Sequence, residues 1–212
     1  MKTFKLHLIR HGLTQGNLEG LYVGSGTDLP LCAEGRAALL ELQGRFAYPQ
    51  PHTLFTSPLA RAVQTGDLLF PAAQKRLVID DLREAHFGCF EGRKMVELVK
   101  DPEFARWMAP SGGYTPPGAE PTAAFHARCA STLMKLFEYM IKSGLDEAAC
   151  VTHGGVLMSM LAQKALPRRK TEDWMADPGC GYTVQTDPAL WMRDSLVEAI
   201  EVLPLGYLEG QA

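Results

Sequence analysis

The chain has 212 residues, 46% of them hydrophobic and 21% charged, which is enough for a soluble globular domain with a sizeable core. Its net charge of -3 provides no general positive field, which argues against nucleic acid or an anionic membrane as a partner. Five scattered cysteines without a C-x-x-C pair argue against a disulfide framework or a zinc site.

The N-terminal region carries charge too early for a signal peptide, and no apolar run is long enough for a transmembrane helix. Together with the unpaired cysteine pattern, these features favour a cytoplasmic location.

Strand and helix signals alternate along the chain. Strands are predicted at residues 3–9, 54–56, 77–79, 148–151, 182–186 and 195–202. Helices are predicted at residues 33–46, from Ser57-Pro58 onward, and at residues 91–99, 122–142 and 156–165. The alternation implies a mostly parallel sheet with right-handed crossovers. We therefore predict one α/β domain over residues 1–212, with the sheet flanked by helices in three layers.

The first strand ends on a charged and flexible stretch, Arg10-His11-Gly12, followed a few residues later by Asn17. Ligands of open α/β sheets bind at the carboxyl ends of the strands. A guanidinium matches phosphate in bidentate fashion, and an imidazole can act as nucleophile, base or acid. Arg10 and His11 are therefore candidates for phosphate chemistry.

The second strand is followed by Ser57-Pro58, which predicts a helix capped by the serine hydroxyl with proline in its first turn. Arg61 would lie at the electropositive start of this helix, where anions are favoured. In isolation, Arg61 on a solvated helix face is the simpler interpretation.

A third strand end carries Thr152-His153-Gly154-Gly155, and Glu84 follows another strand. In a parallel sheet these groups face one crevice together with Arg10, His11 and Arg61. Two arginines can neutralise a phosphate dianion, an imidazole can attack phosphorus, and a carboxylic acid can protonate the leaving oxygen. Such a site needs neither a metal nor a cofactor, because the cations supply the charge stabilisation.

A glycine-rich loop at residues 16–30 is predicted to lie over the site, with Tyr22 and Ser25 as possible substrate contacts. Residues 101–121 are rich in Pro and Gly and predict a surface excursion or lid. The other histidines receive no chemical role: His7 as a strand residue, and His52, His86 and His126 as surface residues, although His86 is close enough to Glu84 to approach a substrate.

These motifs resemble the histidine phosphatase superfamily, the phosphoglycerate mutase-like enzymes. The matching segments run in family order, and they are Leu8-Ile9-Arg10-His11-Gly12-Leu13-Thr14 with Asn17, Asp28-Leu29-Pro30-Leu31 with Gly35, Thr56-Ser57-Pro58-Leu59 with Arg61, Leu82 to Gly92 around Glu84, Pro117-Gly118-Ala119-Glu120, and Val151-Thr152-His153-Gly154-Gly155. The resemblance implies that His11 is the phosphorylated nucleophile and Glu84 the proton donor. It also implies that Arg10, Arg61 and His153 bind the phosphoryl group, with Asn17 and Gly154 as substrate contacts.

Two departures from the family pattern bear on substrate fit. Ala119-Glu120-Pro121 replaces a more usual Gly-Glu-Ser, and Cys32 stands at a usual threonine. The mutase branch carries paired arginines that hold a second acidic group, whereas residues 93–116 offer only Arg93 and Arg106, well separated. This difference favours hydrolysis over mutase chemistry.

We therefore predict a phosphomonoester hydrolase that acts through a phosphohistidine on a small phosphorylated metabolite, similar to the α-ribazole phosphatase branch. Two alternatives stay open: phosphoglycerate mutase-type phosphoryl transfer, and a non-catalytic regulator that binds phosphoesters. The sequence names neither the substrate nor the oligomeric state.

Overall fold

The computed structural model of the protein describes residues 2–109 and 113–207. Its seven-stranded sheet is built from β1 (Phe4–Arg10), β2 (Thr53–Thr56), β3 (Lys75–Val78), β4 (Glu147–Thr152), β5 (Ala165–Leu166), β6 (Gly181–Thr186) and β7 (Val197–Leu203). The strand order is β3-β2-β4-β1-β6-β7-β5.

The half of the sheet that carries the site is parallel. β4 lies between β1 and β2 and runs parallel to both, and β3 extends this half in the same direction. β6 runs antiparallel to β1 and β7, and β5 is parallel to β7. The prediction of a mostly parallel α/β sheet is confirmed, with β6 as the strand that makes the sheet mixed.

Helices cover both faces of the sheet. They are α1 (Gln15–Leu18), α2 (Ala33–Arg45), α3 (Ala60–Leu69), α4 (Met95–Leu98), α5 (Pro102–Met108), α6 (Thr122–Ser143), α7 (Gly154–Lys164) and α8 (Pro188–Asp194). The long α6 presents an apolar stripe to the sheet, and its buried members are Phe125, Cys129, Thr132, Leu133, Leu136, Phe137 and Met140.

The central strand β1 shows why three layers form, because its side chains are buried on both faces of the sheet. Leu6 and Leu8 belong to the core cluster shared with α6 and α7. Ile9 points to the opposite cluster, together with Leu39 of α2 and Leu69 of α3. Side chains that alternate along one strand thus pack in two separate cores, one on each face of the sheet, and this fixes the strand's register.

The prediction that Ser57 caps a helix is wrong, because α3 begins at Ala60 without a side-chain cap from its preceding residue. The backbone N–H of Ser57 donates to Val151 O at 3.0 Å, so the chain is still paired with β4 at this point. The side chain of Asp28 instead accepts from the Ala60 N–H at 2.8 Å. Arg61 nevertheless lies in the first turn of α3, as predicted.

Several elements were not predicted. The Pro- and Gly-rich excursion contains α5, and the chain between β6 and β7 contains α8. A 3-10 turn, Thr171–Trp174, lies between the predicted helix at residues 156–165 and the predicted strand at residues 182–186. The predicted helix at residues 91–99 is reduced to the single turn α4.

Candidate active site

The carboxyl ends of three parallel strands meet at one edge of the sheet. Arg10 is the last residue of β1 and is level with Thr152, the last residue of β4. His11 and His153 therefore follow directly on neighbouring strands, and their ring centroids lie 5.0 Å apart in an edge-to-face arrangement. The parallel register thus brings together two histidines that are far apart in the sequence.

His11 is held in one tautomer by the backbone. Its Nδ1 lies 2.7 Å from Gly12 O, and since a carbonyl can only accept, Nδ1 carries the proton and donates it there. The lone pair is therefore on Nε2. Burial, with Arg61 and Arg10 nearby, lowers the pKa of His11 to about 3, so the ring is neutral at physiological pH. A neutral imidazole with a free Nε2 lone pair is competent as a nucleophile.

Arg61 and His153 form a fully buried pair beside His11. Arg61 Nε donates to His153 Nδ1 at 3.3 Å. Because a guanidinium only donates, His153 Nδ1 is the acceptor and Nε2 carries the proton, which it donates to Ser57 Oγ at 2.7 Å. Burial, followed by the influence of His11 and Arg61, holds the pKa of His153 well below its usual value. His153 is therefore a neutral hydrogen-bond donor through Nε2.

The remaining donors of Arg61 hold the glycine-rich loop in place. Its two terminal nitrogens donate to Gly24 O at 2.9 Å and to Thr27 O at 3.1 Å. The loop therefore closes over Arg61, in agreement with the prediction that it lies over the site.

Arg10 presents an N–H without a protein acceptor. One terminal nitrogen donates to Ala176 O at 2.8 Å, whereas the buried Nε has no hydrogen-bond partner among the described residues. A Cβ placed on Gly154 would lie 3.4 Å from this nitrogen, so Arg10 faces the start of α7. A guanidinium N–H beside a helix N-terminus is a favourable environment for an anion.

Glu84 is also buried. Its two carboxyl oxygens accept the backbone N–H groups of Ala85 and Gly155, each at 2.9 Å. A Cβ on residue 155 would lie 2.6 Å from a Glu84 oxygen, so glycine is required for this approach. Burial raises the pKa of Glu84, although the two backbone bonds oppose this shift. The protonated form of the Glu84 carboxyl group therefore persists to higher pH than in a free glutamate.

A cavity of about 870 Å³ opens beside these groups. Among the residues predicted for the site, its lining includes Arg10, His11, Asn17, Tyr22, Glu84 and Gly154. Arg61 and His153 lie behind this surface, and Ser25 is not part of it. Ser25 donates its backbone N–H to Ala85 O at 3.0 Å, and its predicted substrate contact stays a prediction.

Asn17 is oriented by its own helix start. Its Oδ1 accepts from the backbone N–H and the hydroxyl of Thr14, both at 3.0 Å. The Asn17 N–H donates in return to Thr14 Oγ1 at 3.3 Å, which completes a capping box at the start of α1. The fixed oxygen determines the direction of the side chain within the cavity wall.

Two features of the site differ from the predictions. His126 is not a surface residue, because it is half-buried, lines the cavity and bonds Ser159 Oγ at 2.8 Å. Ser57 was assigned to a helix cap, although it contacts His153. The rule that places ligands at the ends of parallel strands groups Ser57 with Arg61 after β2, but it does not predict the bond between Ser57 and His153.

The contact between Ser57 and His153 predicts a defect in positioning. We expect Ser57→Ala to lower kcat by as much as about 10²-fold with a smaller change in KM, because a misplaced donor costs transition-state binding. Ser159→Ala, which also removes a buried serine hydroxyl bonded to a histidine, is the matched control and should leave kcat close to wild type. Steady-state kinetics of both variants would check this, and equal kcat losses would contradict a specific role for Ser57.

Two further observations concern the part of the chain that the structure describes. It contains no group of three or more His, Cys, Asp or Glu side chains arranged to hold a metal ion. No helix in it has the length and apolar character needed to cross a membrane.

The fold is that of phosphoglycerate mutase-like α/β proteins. The alpha-ribazole phosphatase of Shigella flexneri superposes with a TM-score of 0.76 at 26% identity, over 97% of this chain and 100% of that chain. The family model of the histidine phosphatase superfamily (branch 1) matches residues 6–196. The chain therefore belongs to the histidine phosphatase superfamily.

Two relatives illustrate the range of this similarity. Fructose-2,6-bisphosphatase TIGAR B of Danio rerio is 32% identical over 178 residues, which are 79% of this chain and 63% of that protein. The adenosylcobalamin/alpha-ribazole phosphatase of Escherichia coli is 28% identical over 180 residues, which are 83% of this chain and 87% of that protein. The chain thus spans less than two thirds of the Danio rerio protein but most of the bacterial one.

Proposed function

We propose that the protein is a phosphomonoester hydrolase that acts on a small phosphorylated metabolite through a phosphohistidine at His11. The observation that carries the proposal is the tautomer of His11. Its Nδ1 proton is donated to Gly12 O, so Nε2 is a neutral nucleophile beside Arg10 and on the same cavity as Glu84. Relatives named as phosphatases, of Danio rerio and Escherichia coli, support the same activity.

In the first step, His11 Nε2 attacks phosphorus and the bond between phosphorus and the leaving oxygen breaks. Glu84, in its acid form, gives its proton to that oxygen, so the product leaves as a neutral alcohol. Arg10 holds the phosphoryl oxygens from the cavity lining. On substrate binding, Arg61 and the Nε2–H of His153 exchange bonds that they make within the protein for bonds to the phosphoryl oxygens, whose charge they stabilise. Asn17 and Gly154 assist from the cavity wall.

In the second step, the Glu84 carboxylate takes a proton from water as the water oxygen attacks phosphorus. The bond between phosphorus and His11 Nε2 breaks, inorganic phosphate leaves, and both His11 and Glu84 return to their starting protonation states. The same carboxyl group therefore serves first as acid and then as base.

Hydrolysis is favoured over mutase-type transfer by the positions of two arginines. Arg93 pairs with Asp101 at 2.8 Å, and Arg106 lies over the ring of Tyr114 at 4.4 Å. Neither lines the cavity, so neither is placed to hold a second acidic group of a mutase substrate.

A purely binding protein would need neither the His11 nucleophile nor the Glu84 acid. The cytoplasmic location, the single-domain organisation and the absence of nucleic-acid partners stay predictions.

The proposal predicts turnover without a metal ion. We expect phosphate release from p-nitrophenyl phosphate to persist after exhaustive treatment with EDTA, because the arginines and the neutral histidine donor supply the charge stabilisation. A colorimetric assay before and after chelation would check this. Activity that disappears on chelation and returns with Mg²⁺ or Zn²⁺ would contradict the proposed chemistry, and no turnover of any monoester would favour a binding protein.

A further inference from the structure

Tyr22, Phe87 and Trp107 line the cavity and form an aromatic wall in it. The rings of Tyr22 and Phe87 are stacked with centroids 4.0 Å apart, and Trp107 meets Phe87 edge-on at 5.8 Å. The three residues come from the glycine-rich loop, the segment after Glu84, and α5. Rings held at these distances form a preorganised apolar surface.

Two buried rings support this wall from behind. Phe90 and Phe104 are 1% and 7% exposed, and Phe90 stacks on Trp107 with centroids 5.6 Å apart. Phe104 meets Tyr22 edge-on at 5.5 Å. The wall is therefore part of a small hydrophobic core, which fixes the ring of Trp107 at the cavity although α5 is only seven residues long.

We call the part of the cavity that contains Arg10, His11 and Glu84 the phosphate end. The rest of the cavity lining is also mostly apolar. Its apolar members include Leu21, Val23, Met108, Phe125, Met158 and Met175. A leaving group bound here would exchange water for aliphatic and aromatic contacts on several sides, which favours an apolar group.

The charges of the lining disfavour a second anion. Among the described residues that line the cavity, Arg10 is the only permanent cation, and it lies at the phosphate end. Burial lowers the pKa of His126, which keeps its imidazole neutral at physiological pH. Besides Glu84, the carboxylates that line the cavity are Glu120, which is paired with Arg128 at 2.6 Å, and the exposed Glu172. A second phosphate or carboxylate on the substrate would lose water without gaining a cation.

From this surface we propose that the site selects phosphate monoesters whose leaving group carries a flat, uncharged ring, and that Trp107 is a specificity-determining residue. Substrates with a second phosphate or a carboxylate on the leaving group are discriminated against. The inference rests on the proposed hydrolase function, and it concerns only the part of the substrate that departs from phosphorus.

The test compares substrates that differ in the leaving group but not in its basicity. 2-Phenylethyl phosphate and 2-carboxyethyl phosphate both release a primary alcohol, so proton transfer from Glu84 to the leaving oxygen is similar for the two substrates. We expect kcat/KM to be at least about tenfold higher for the phenyl compound, as is typical for occupation of an apolar pocket. Equal values, or a preference for the carboxylate, would overturn the inference.

A pair of matched variants tests the role of Trp107. Trp107 and Trp191 are both half-buried tryptophans, on the seven-residue helices α5 and α8. Trp191 packs near Phe137 of α6 and does not line the cavity. We expect Trp107→Ala to lower the phenyl-to-carboxyl ratio about tenfold, as loss of one ring contact implies. Trp191→Ala should preserve the ratio. A ratio that is unchanged in Trp107→Ala would exclude the assigned role.

Binding of non-hydrolysable analogues separates this inference from the hydrolase proposal. Calorimetry with 3-phenylpropylphosphonate and 3-carboxypropylphosphonate reports leaving-group selectivity without any turnover. Tighter binding of the phenyl compound together with no turnover of either phosphate would uphold the selectivity and refute hydrolysis. Turnover of both phosphates with equal phosphonate affinities would uphold hydrolysis and refute the selectivity.

Discussion

Replacing His11 with alanine is expected to lower kcat by about 10⁴-fold or more, as losses of catalytic nucleophiles do in other enzymes. The reason is that His11 supplies the Nε2 lone pair, and its Nδ1 bond to Gly12 O leaves no other ring nitrogen for attack. Steady-state phosphate release from p-nitrophenyl phosphate measures the effect.

The matched control is His52→Ala, since His52 is exposed and lies outside the cavity lining. This variant should retain wild-type kcat. A thermal unfolding curve of His11→Ala close to that of the wild type would show that the loss is chemical. Substantial activity in folded His11→Ala would mean that another group attacks phosphorus.

Replacing Glu84 with glutamine is expected to depress alkyl phosphate turnover by about 10² to 10⁴-fold, the usual contribution of general acid catalysis. An alkoxide is strongly basic and needs the proton of Glu84 when it leaves. The p-nitrophenolate ion is a good leaving group, so turnover of p-nitrophenyl phosphate should fall only mildly. The ratio of the two losses in kcat/KM is the measurement.

Glu91→Gln provides a matched control for structural effects. Like Glu84, Glu91 accepts two backbone N–H groups, from Gly24 at 2.7 Å and from Phe87 at 3.1 Å, but it does not line the cavity. Any loss caused by weakened backbone bonds should affect both substrates equally in this variant. Equal losses for both substrates in Glu84→Gln would mean that Glu84 supports the fold or positions phosphate.

The raised pKa of Glu84 also predicts the direction of the pH dependence. Because burial raises this pKa, the acid form persists to higher pH than for a free glutamate. Alkyl phosphate turnover in the first step should therefore fall as pH rises through the raised pKa. This fall in turnover with rising pH should be absent from Glu84→Gln, because glutamine cannot titrate at that position.

The sequence predicted the parts of the site that depend on strand ends. Arg10-His11 and His153 each follow a buried strand, and a parallel sheet necessarily aligns such ends. The alternating apolar residues of β1 and the 3.6-residue periodicity of α6 were strong enough to specify both elements. The convergence of Arg10, His11 and His153 follows from topology alone.

Local helix signals were less reliable, and three examples with proline show why. Asp101-Pro102 and Asp187-Pro188 start α5 and α8, and each aspartate accepts backbone N–H groups of its own helix. Both helices were missed. Ser57-Pro58 carries a similar signal, and Ser57 Oγ does accept the Leu59 N–H at 3.3 Å, but α3 begins only at Ala60. The Ser57 N–H is still paired with Val151 of β4, and its hydroxyl also bonds His153, 96 residues away in the chain. Such pairing with a distant strand shifts the start of a helix, and one sequence does not reveal it.

The aromatic wall was unpredictable for the same reason. Tyr22, Phe87 and Trp107 belong to separate segments without regular periodicity. They meet through direct ring contacts and through packing on Phe90 and Phe104. Spacing rules describe contacts within one helix or strand, whereas this surface depends on how three loops and short helices fold together.

The most direct test of the central claim is rapid quench of the enzyme with a phosphate monoester labelled at phosphorus. We predict a phosphoprotein that is acid-labile and alkali-stable, with the label on His11 and absent from His11→Ala. Label on a serine, or normal turnover without any trapped phosphoprotein, would contradict the phosphohistidine mechanism.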